Sequence, residues 1–543
     1  MSLNNGQRTT DDRRSLLCVP VCVRRVDELR AAVARAVRVA DIIELRLDCL
    51  TDEAQLAAAR TELERLFVER ARPFILTFRA TEQGGQRALD AETRVRFWQQ
   101  YARAWQRGTP RPDFVDIELD LLEAHRNEVW PAQQDKETRA TIHIDPSSFP
   151  ALICSQHDFD GVPADLAALY ERMTRTPAQI LKLALRAQDA TDCLPLLQLL
   201  ARARREGRDM IAIAMGAAGL LTRILAPARG AFLTYGALDQ NHATAPGQTS
   251  AAELRDVYRV HTLDEWTEVF GLVGTPVMHS LSPYMHNAAF AARGLNAVYI
   301  PFETRDLSAF MRRMADPRTC ELDWRLRGLS VTAPHKQTIM PHLDFIAPAA
   351  REIGAVNTVL IEDDALHGYN TDAPAALAPL ANLLELHGAR VALVGTGGAA
   401  RALLWGLRRA AASTTVFARN IERARTVAHE FGAACLALSN ARFNDFDLVI
   451  NATPLGTHGH AEDETPATVA QLRGARIAYD LIYNPTETRF MREARAAGCA
   501  HVIGGLSMLV AQAAAQFELW TGQSAPLEVM RDAAARQLFA KPV

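Results

Sequence analysis

Between residues 15 and 240, short apolar runs alternate with longer amphipathic stretches, and this alternation leaves the chain few folds to choose from. Strands are expected at about 16–23, 42–48, 74–80, 114–120, 151–157, 180–186, 209–215 and 231–236. Each ends in a polar turn, usually followed by a helical segment such as 25–39 or 162–174. Eight strand–helix units in so short a span predict a (β/α)8 barrel with parallel strands and outer helices. With 543 residues the chain is too long for one core, so further domains must follow.

Side chains alternate across a strand, so parity says which residues face the barrel interior. In Glu44-Leu45-Arg46-Leu47-Asp48 the leucines suit the outer helices, which aims Glu44 and Arg46 at the barrel mouth. The same parity sets Lys182 opposite Leu181 and Leu183, and pairs Asp116 with Glu118 on one face. Arg79 and His157 fall near C-terminal strand ends, where barrel active sites form. Taken singly, Asp116 and Asp48 read best as structural ion-pair partners, and a lone histidine as a satisfied structural residue. Convergence weakens that reading: Glu44, Arg46, Arg79, His157, Lys182 and Arg223 come from different strands onto one expected rim.

Composition sharpens this point. Of 60 basic residues only Lys136, Lys182, Lys336 and Lys541 are lysine. Where only positive charge is needed the chain uses arginine, so a lysine in an apolar segment implies an amine that must lose a proton. Lys136 lies in a polar run and Lys541 at the C-terminal end; both read as solvated. Lys182, desolvated in a strand and close to arginines, should have a lowered pKa and act as a Schiff-base nucleophile. The arginines imply an anionic substrate, and His157 can move a proton next to an imine. Imine chemistry on a keto acid fits a class I aldolase or a dehydratase.

Glu44-Leu45-Arg46-Leu47-Asp48, Thr77-Phe78-Arg79, His157-Asp158-Phe159, Lys182, Met215-Gly216 with Arg223, and Ala245-Pro246-Gly247-Gln248 resemble type I 3-dehydroquinate dehydratase over about residues 15–258. The resemblance implies an imine between Lys182 and the substrate ketone, with His157 as general acid/base. It further implies that Glu44, Arg46, Arg79, Arg223, Thr244 and Gln248 bind substrate. The sequence departs from the family at Gln83, before Gly84-Gly85, where a glutamate is frequent; the partner of His157 is therefore open.

Residues 250–268 read as a polar, helical connection, and a new α/β pattern begins at Val269, with strands near 297–302, 327–331 and 355–361. The apolar strand Arg390–Val394 runs into Gly395-Thr396-Gly397-Gly398-Ala399-Ala400 and then a helical segment. G-x-G-x-x-A between strand and helix is the dinucleotide fingerprint of a Rossmann-type domain. The next strand ends in Arg419, where an acidic residue would grip a ribose 2′-hydroxyl; arginine favours the 2′-phosphate of NADP(H).

Ser280-Leu281-Ser282-Pro283, Val331-Thr332-Ala333-Pro334-His335-Lys336, Gly354-Ala355-Val356-Asn357-Thr358, Gly368-Tyr369-Asn370-Thr371-Asp372, Asn451-Ala452-Thr453-Pro454, Tyr479-Asp480-Leu481-Ile482-Tyr483 and Gly504-Gly505-Leu506 with Gln512 resemble shikimate dehydrogenase over about 269–540. The resemblance implies that Lys336 and Asp372 are the catalytic pair and that Ser280, Ser282, Thr332, Asn357, Tyr483 and Gln512 bind substrate. It implies cofactor contacts at Gly395, Thr396, Gly397, Gly398, Ala399, Arg419, Asn451, Thr453 and Gly505.

The expected α/β architecture is thus a barrel (15–258), a substrate domain (269–372 with 509–543) and a nucleotide domain (373–508). The product of the first half, 3-dehydroshikimate, is the ketone the second would reduce with NADPH. Two rivals remain: a quinate-preferring dehydrogenase, and a barrel that is only a scaffold. No metal is expected. A net charge of −3 predicts no nucleic-acid or membrane partner, so the expected partners are small molecules, with a monomer or weak homodimer. The apolar run Leu16–Val23 is too short to span a membrane and reads as a strand. Eight dispersed cysteines argue against a disulfide scaffold and predict a reducing compartment, and the absence of a transit-like segment points to the cytosol.

Overall fold

A computed structural model describes residues 15–125, 150–239, 248–459 and 461–539. Among these, the strands form three sheets within two compact units. Lys136, Thr244, Ala245-Pro246-Gly247 and Lys541 lie outside the described residues.

The first sheet holds eight parallel strands: β1 (Leu17–Val21), β2 (Ile42–Arg46), β3 (Phe74–Thr77), β4 (Phe114–Glu118), β5 (Ala151–Asp158), β6 (Ile180–Arg186), β7 (Asp209–Met215) and β8 (Thr234–Tyr235). Their order, β7-β6-β5-β4-β3-β2-β1-β8, follows the chain around a barrel. β7 and β8 are its two ends, and Phe232 N donates to Met210 O (2.8 Å) across that seam, leaving the barrel nearly closed. The barrel strands are buried on both faces, which is why they read as almost continuous apolar runs. Ile42, Ile75, Ile153, Ile180 and Ile211 fill its interior below the mouth.

Two expectations for this half are corrected. The stretch 250–268 is not a plain connection: Ser250 caps the helix Ala251–Asp256, and Ala251, Leu254 and Val260 are fully buried. The cysteines are not all free thiols either, because Cys22 and Cys49 form a disulfide with Cα atoms 5.4 Å apart. Cys22 follows β1 and Cys49 follows β2; parallel neighbours bring both to one rim although 27 residues separate them. Spacing along the chain cannot reveal such a pair, and the cysteines no longer argue for a reducing compartment.

The second sheet contains β9 (Glu268–Gly274), β10 (Ala297–Glu303), β11 (Arg325–Val331), β12 (Phe345–Ile346), β13 (Thr358–Glu362) and β14 (Ala365–Tyr369), in the order β10-β9-β11-β13-β14-β12. The helices Leu506–Thr521 and Leu527–Phe539 pack on it, with Val510, Phe517, Trp520 and Met530 sharing a core with Phe270, Leu272 and Phe290. The third sheet is parallel: β15 (Arg390–Val394), β16 (Ser413–Ala418), β17 (Ala434–Ala437), β18 (Leu448–Asn451), β19 (Ile477–Asp480) and β20 (His501–Ile503), ordered β17-β16-β15-β18-β19-β20. Its order reverses direction beside β15, between β16 and β18, where doubly wound sheets bind ligands.

Candidate active sites

Glu44, Arg46, Arg79, His157, Lys182, Arg223 and Gln248 line one pocket at the C-terminal end of the barrel, with Gln83, Phe159, Met215 and Tyr235. Parity therefore aimed Glu44, Arg46 and Lys182 correctly. Arg223 enters differently: it is carried by the helix Leu220–Ala228 and not by a strand.

Lys182 is 5% exposed, and its amine touches Asp116 Oδ2 (2.8 Å), the Tyr235 hydroxyl (3.0 Å) and Glu44 Oε1 (3.5 Å). Its direct neighbours are thus two carboxylates and a phenol, where the sequence had led us to expect arginines. Asp116 also pairs with Arg79 Nη2 at 2.7 Å. Burial pushes the Asp116 carboxyl up, but Arg79 and Lys182 outweigh it and hold it near 2. Asp116 is therefore the ion-pair partner its strand position suggested, and both of its partners, Arg79 and Lys182, line the pocket. Its sequence signal was its share of a strand face with Glu118, which instead meets Arg94 and the Ala80 amide. Tyr235 gave no signal, since one tyrosine in an apolar run looks like core.

Arg79 Nη1 lies 2.6 Å from His157 Nδ1 and 3.0 Å from Nε2. Burial, then the charges of Arg79, Lys182 and Arg46, push the imidazole pKa well below its ordinary value and keep it neutral. Gln83 accepts the His157 backbone N–H (2.8 Å), so it fixes the strand end and leaves the ring to Arg79. Arg46 is clamped by Asp48 through two bonds of 2.9 and 2.8 Å. Arg223 donates to Tyr235 O, while its Nε and Nη2 are buried without a partner among the described residues. Desolvation lowers its pKa to about 10, so a carboxylate arriving there would relieve a buried cation.

A second pocket is lined by Ser280, Ser282, Thr332, Lys336, Asn357, Asp372, Tyr483, Gln512, Gln516, Ala399 and Gly505. Lys336 Nζ meets Asp372 Oδ2 at 2.5 Å, and Asn357 Nδ2 donates to Asp372 Oδ1 at 2.8 Å. Gln512 spends its amide N–H on Leu509 O within its own helix.

The glycine turn after β15 fits a dinucleotide pyrophosphate. Gly395 has φ +124°, and a β-carbon there would strike Ala452 O at 2.7 Å. A β-carbon on Gly397 would meet nothing, so backbone amides at the start of the helix Gly398–Arg409 stand open to an anion. Thr396 and Ala399 flank that opening. Arg419 is exposed directly after β16. Two of the residues expected to contact the cofactor also support the backbone around it. Asn451 is fully buried and bonds Leu455 O, Asp480 and Thr453, so its side chain braces the loop. Gly505 admits Leu481 O, which a β-carbon would meet at 2.1 Å.

The type I 3-dehydroquinase profile matches residues 17–265. The shikimate dehydrogenase substrate binding domain matches 272–359, and the shikimate 5′-dehydrogenase C-terminal domain 505–535. The chain is 31% identical to the chloroplastic bifunctional 3-dehydroquinate dehydratase/shikimate dehydrogenase of Arabidopsis thaliana, over 95% of this chain and 83% of that protein. It is 42% identical to the NADP(+) shikimate dehydrogenase of Oleidesulfovibrio alaskensis, over 50% of this chain and 95% of that one. A solved dehydroquinate dehydratase and shikimate dehydrogenase from S. pombe is 24% identical, covering 96% of this chain and 98% of that chain with a TM-score of 0.41. By the extent and identity of the Arabidopsis match, the chain belongs to the family of bifunctional 3-dehydroquinate dehydratase/shikimate dehydrogenases.

Proposed function

We infer that the two pockets carry out consecutive steps. The observation behind this reading is that the two lysines among the described residues, Lys182 and Lys336, each line a pocket and each pair with a buried aspartate.

In the barrel, Lys182 attacks the ketone of 3-dehydroquinate once it has given up a proton, and loss of water leaves an imine. His157, kept neutral, acts as the base that removes the proton beside the imine carbon and returns it to the departing hydroxyl, which leaves as water. Hydrolysis of the imine restores Lys182 and releases 3-dehydroshikimate. Arg223 and Arg46 hold the carboxylate and hydroxyls, with Glu44, Arg79 and Gln248; Thr244 keeps this role as an expectation.

In the second pocket Lys336 and Asp372 hold the proton that the ketone oxygen takes up. NADPH, when bound, supplies the hydride. Ser280, Ser282, Thr332, Asn357, Tyr483 and Gln512 orient the ring. We assign 269–372 with 509–543 to substrate and 373–508 to nucleotide; the second and third sheets support this division. Among the described residues no helix is long and apolar enough to cross a membrane, and no cluster of side chains suits a metal ion.

Supplying 3-dehydroquinate with NADPH tests both halves. NADPH oxidation should vanish in Lys182→Ala and return on adding 3-dehydroshikimate; an unchanged coupled rate in Lys182→Ala would sink the imine route. Comparing kcat/KM for shikimate and quinate tests the substrate choice, and a clear quinate preference overturns it.

A further inference from the structure

Gln516 lies on the helix Leu506–Thr521, one turn beyond Gln512 and only 1% exposed. A buried carboxamide costs free energy unless both its ends are bonded. Its Oε1 accepts from the Ser330 hydroxyl (2.8 Å), and its Nε2 donates to Asn357 O (3.1 Å) and Thr358 Oγ1 (3.0 Å). Because a carbonyl can only accept, the contact with Asn357 O fixes which end of the amide is nitrogen.

That orientation propagates. Thr358 Oγ1 receives an N–H from Gln516, so its own proton is free for Asn357 Oδ1, which it meets at 2.8 Å. Asn357 Oδ1 also accepts the Thr371 N–H at 2.8 Å. With its oxygen so committed, Asn357 must turn its Nδ2 toward Asp372 Oδ1, the carboxylate that holds Lys336. The same helix reaches the other flank of Asp372, where the Thr371 hydroxyl donates to Gln512 O (3.2 Å).

We propose that Gln516 is a positioning residue of the dehydrogenase, committing the Thr358 proton to Asn357 Oδ1 alongside the Thr371 N–H, holding Asn357 against Asp372 and so aiming the Lys336–Asp372 pair at the substrate. A simple rivet between helix and sheet would need only shape and some bonding at residue 516. A positioning residue needs its donor, because a carboxylate there would draw the Thr358 proton toward itself and strip Asn357 Oδ1 of that bond. This inference rests on Lys336 and Asp372 being the proton-handling pair.

The test uses the full chain with Gln516→Glu, which keeps shape and acceptor but lacks the donor, and Gln516→Met, which keeps shape alone. In both, kcat for shikimate oxidation should fall by roughly ten- to hundredfold, with the shikimate KM within about threefold of wild type. NADP+ binding and the dehydratase rate should be unchanged. Unchanged kcat in Gln516→Glu would overturn the proposal. So would loss of NADP+ binding in both variants, which marks a purely structural role, or a raised shikimate KM at intact kcat, which marks a direct substrate ligand. Lys336→Met is measured alongside: turnover surviving there removes the catalytic pair itself, whereas turnover lost there but kept in both Gln516 variants removes only this inference.

Discussion

Lys336 crosses the first turn of the helix Gly398–Arg409, with its Cδ 2.9 Å from where a β-carbon on Gly398 would stand. The glycine turn and the lysine paired with Asp372 are therefore in contact, and the absence of a side chain at 398 lets the stem pass. Gly398→Ala should displace either the lysine or the turn. Shikimate oxidation should fall by about tenfold or more while the dehydratase rate of the same chain is kept. Equal loss of both activities would point to general misfolding.

His157 leads to a pH prediction. Burial and three nearby cations keep its imidazole neutral well below the usual value of about 6.5. The base form therefore persists as pH falls through 6.5, and the dehydratase kcat should show no histidine limb there. Stability moves the other way: the unfolded chain takes up a proton near 6.5 that the folded site refuses, so this contribution is lost as pH falls below 6.5. His157→Asn should flatten that part of the stability profile, as followed by urea unfolding at a series of pH values.

Asp116 holds two cations at once, Arg79 Nη2 at 2.7 Å and Lys182 Nζ at 2.8 Å. Asp116→Asn leaves both buried with one partner fewer. Breaking a buried pair in this way costs roughly 3–5 kcal/mol. Dehydratase activity should be lost and borohydride trapping of Lys182 reduced, with the dehydrogenase rate retained. A variant as stable and active as wild type would show that Lys182 does not depend on Asp116.

The Cys22–Cys49 bridge closes a loop spanning 27 residues between adjacent barrel strands. Constraint of the unfolded chain by a loop of that length is worth roughly 3–4 kcal/mol. Reductant should therefore lower the unfolding temperature of the barrel in the wild-type chain and leave Cys22→Ser unaffected. Reductant-insensitive melting of the wild type would argue against the bridge in solution.

The sequence by itself determined the repeating units and the residues that supply the chemistry. Strand and helix periods are local, so eight βα units and the glycine turn after β15 were legible. Parity is local too, and it aimed Glu44, Arg46 and Lys182 inward. Scarcity of lysine singled out Lys182 and Lys336 without any coordinates. Tertiary structure alone decided what each of these groups touches. Asp116, Tyr235 and Glu44 meet one amine because strands distant in the chain converge on the barrel axis. Cys22 finds Cys49, Arg79 takes the ring of His157, and Gln516 reaches Asn357 across 159 residues. Such contacts depend on packing between elements, which no local period records, and in a buried site they set charge and proton position.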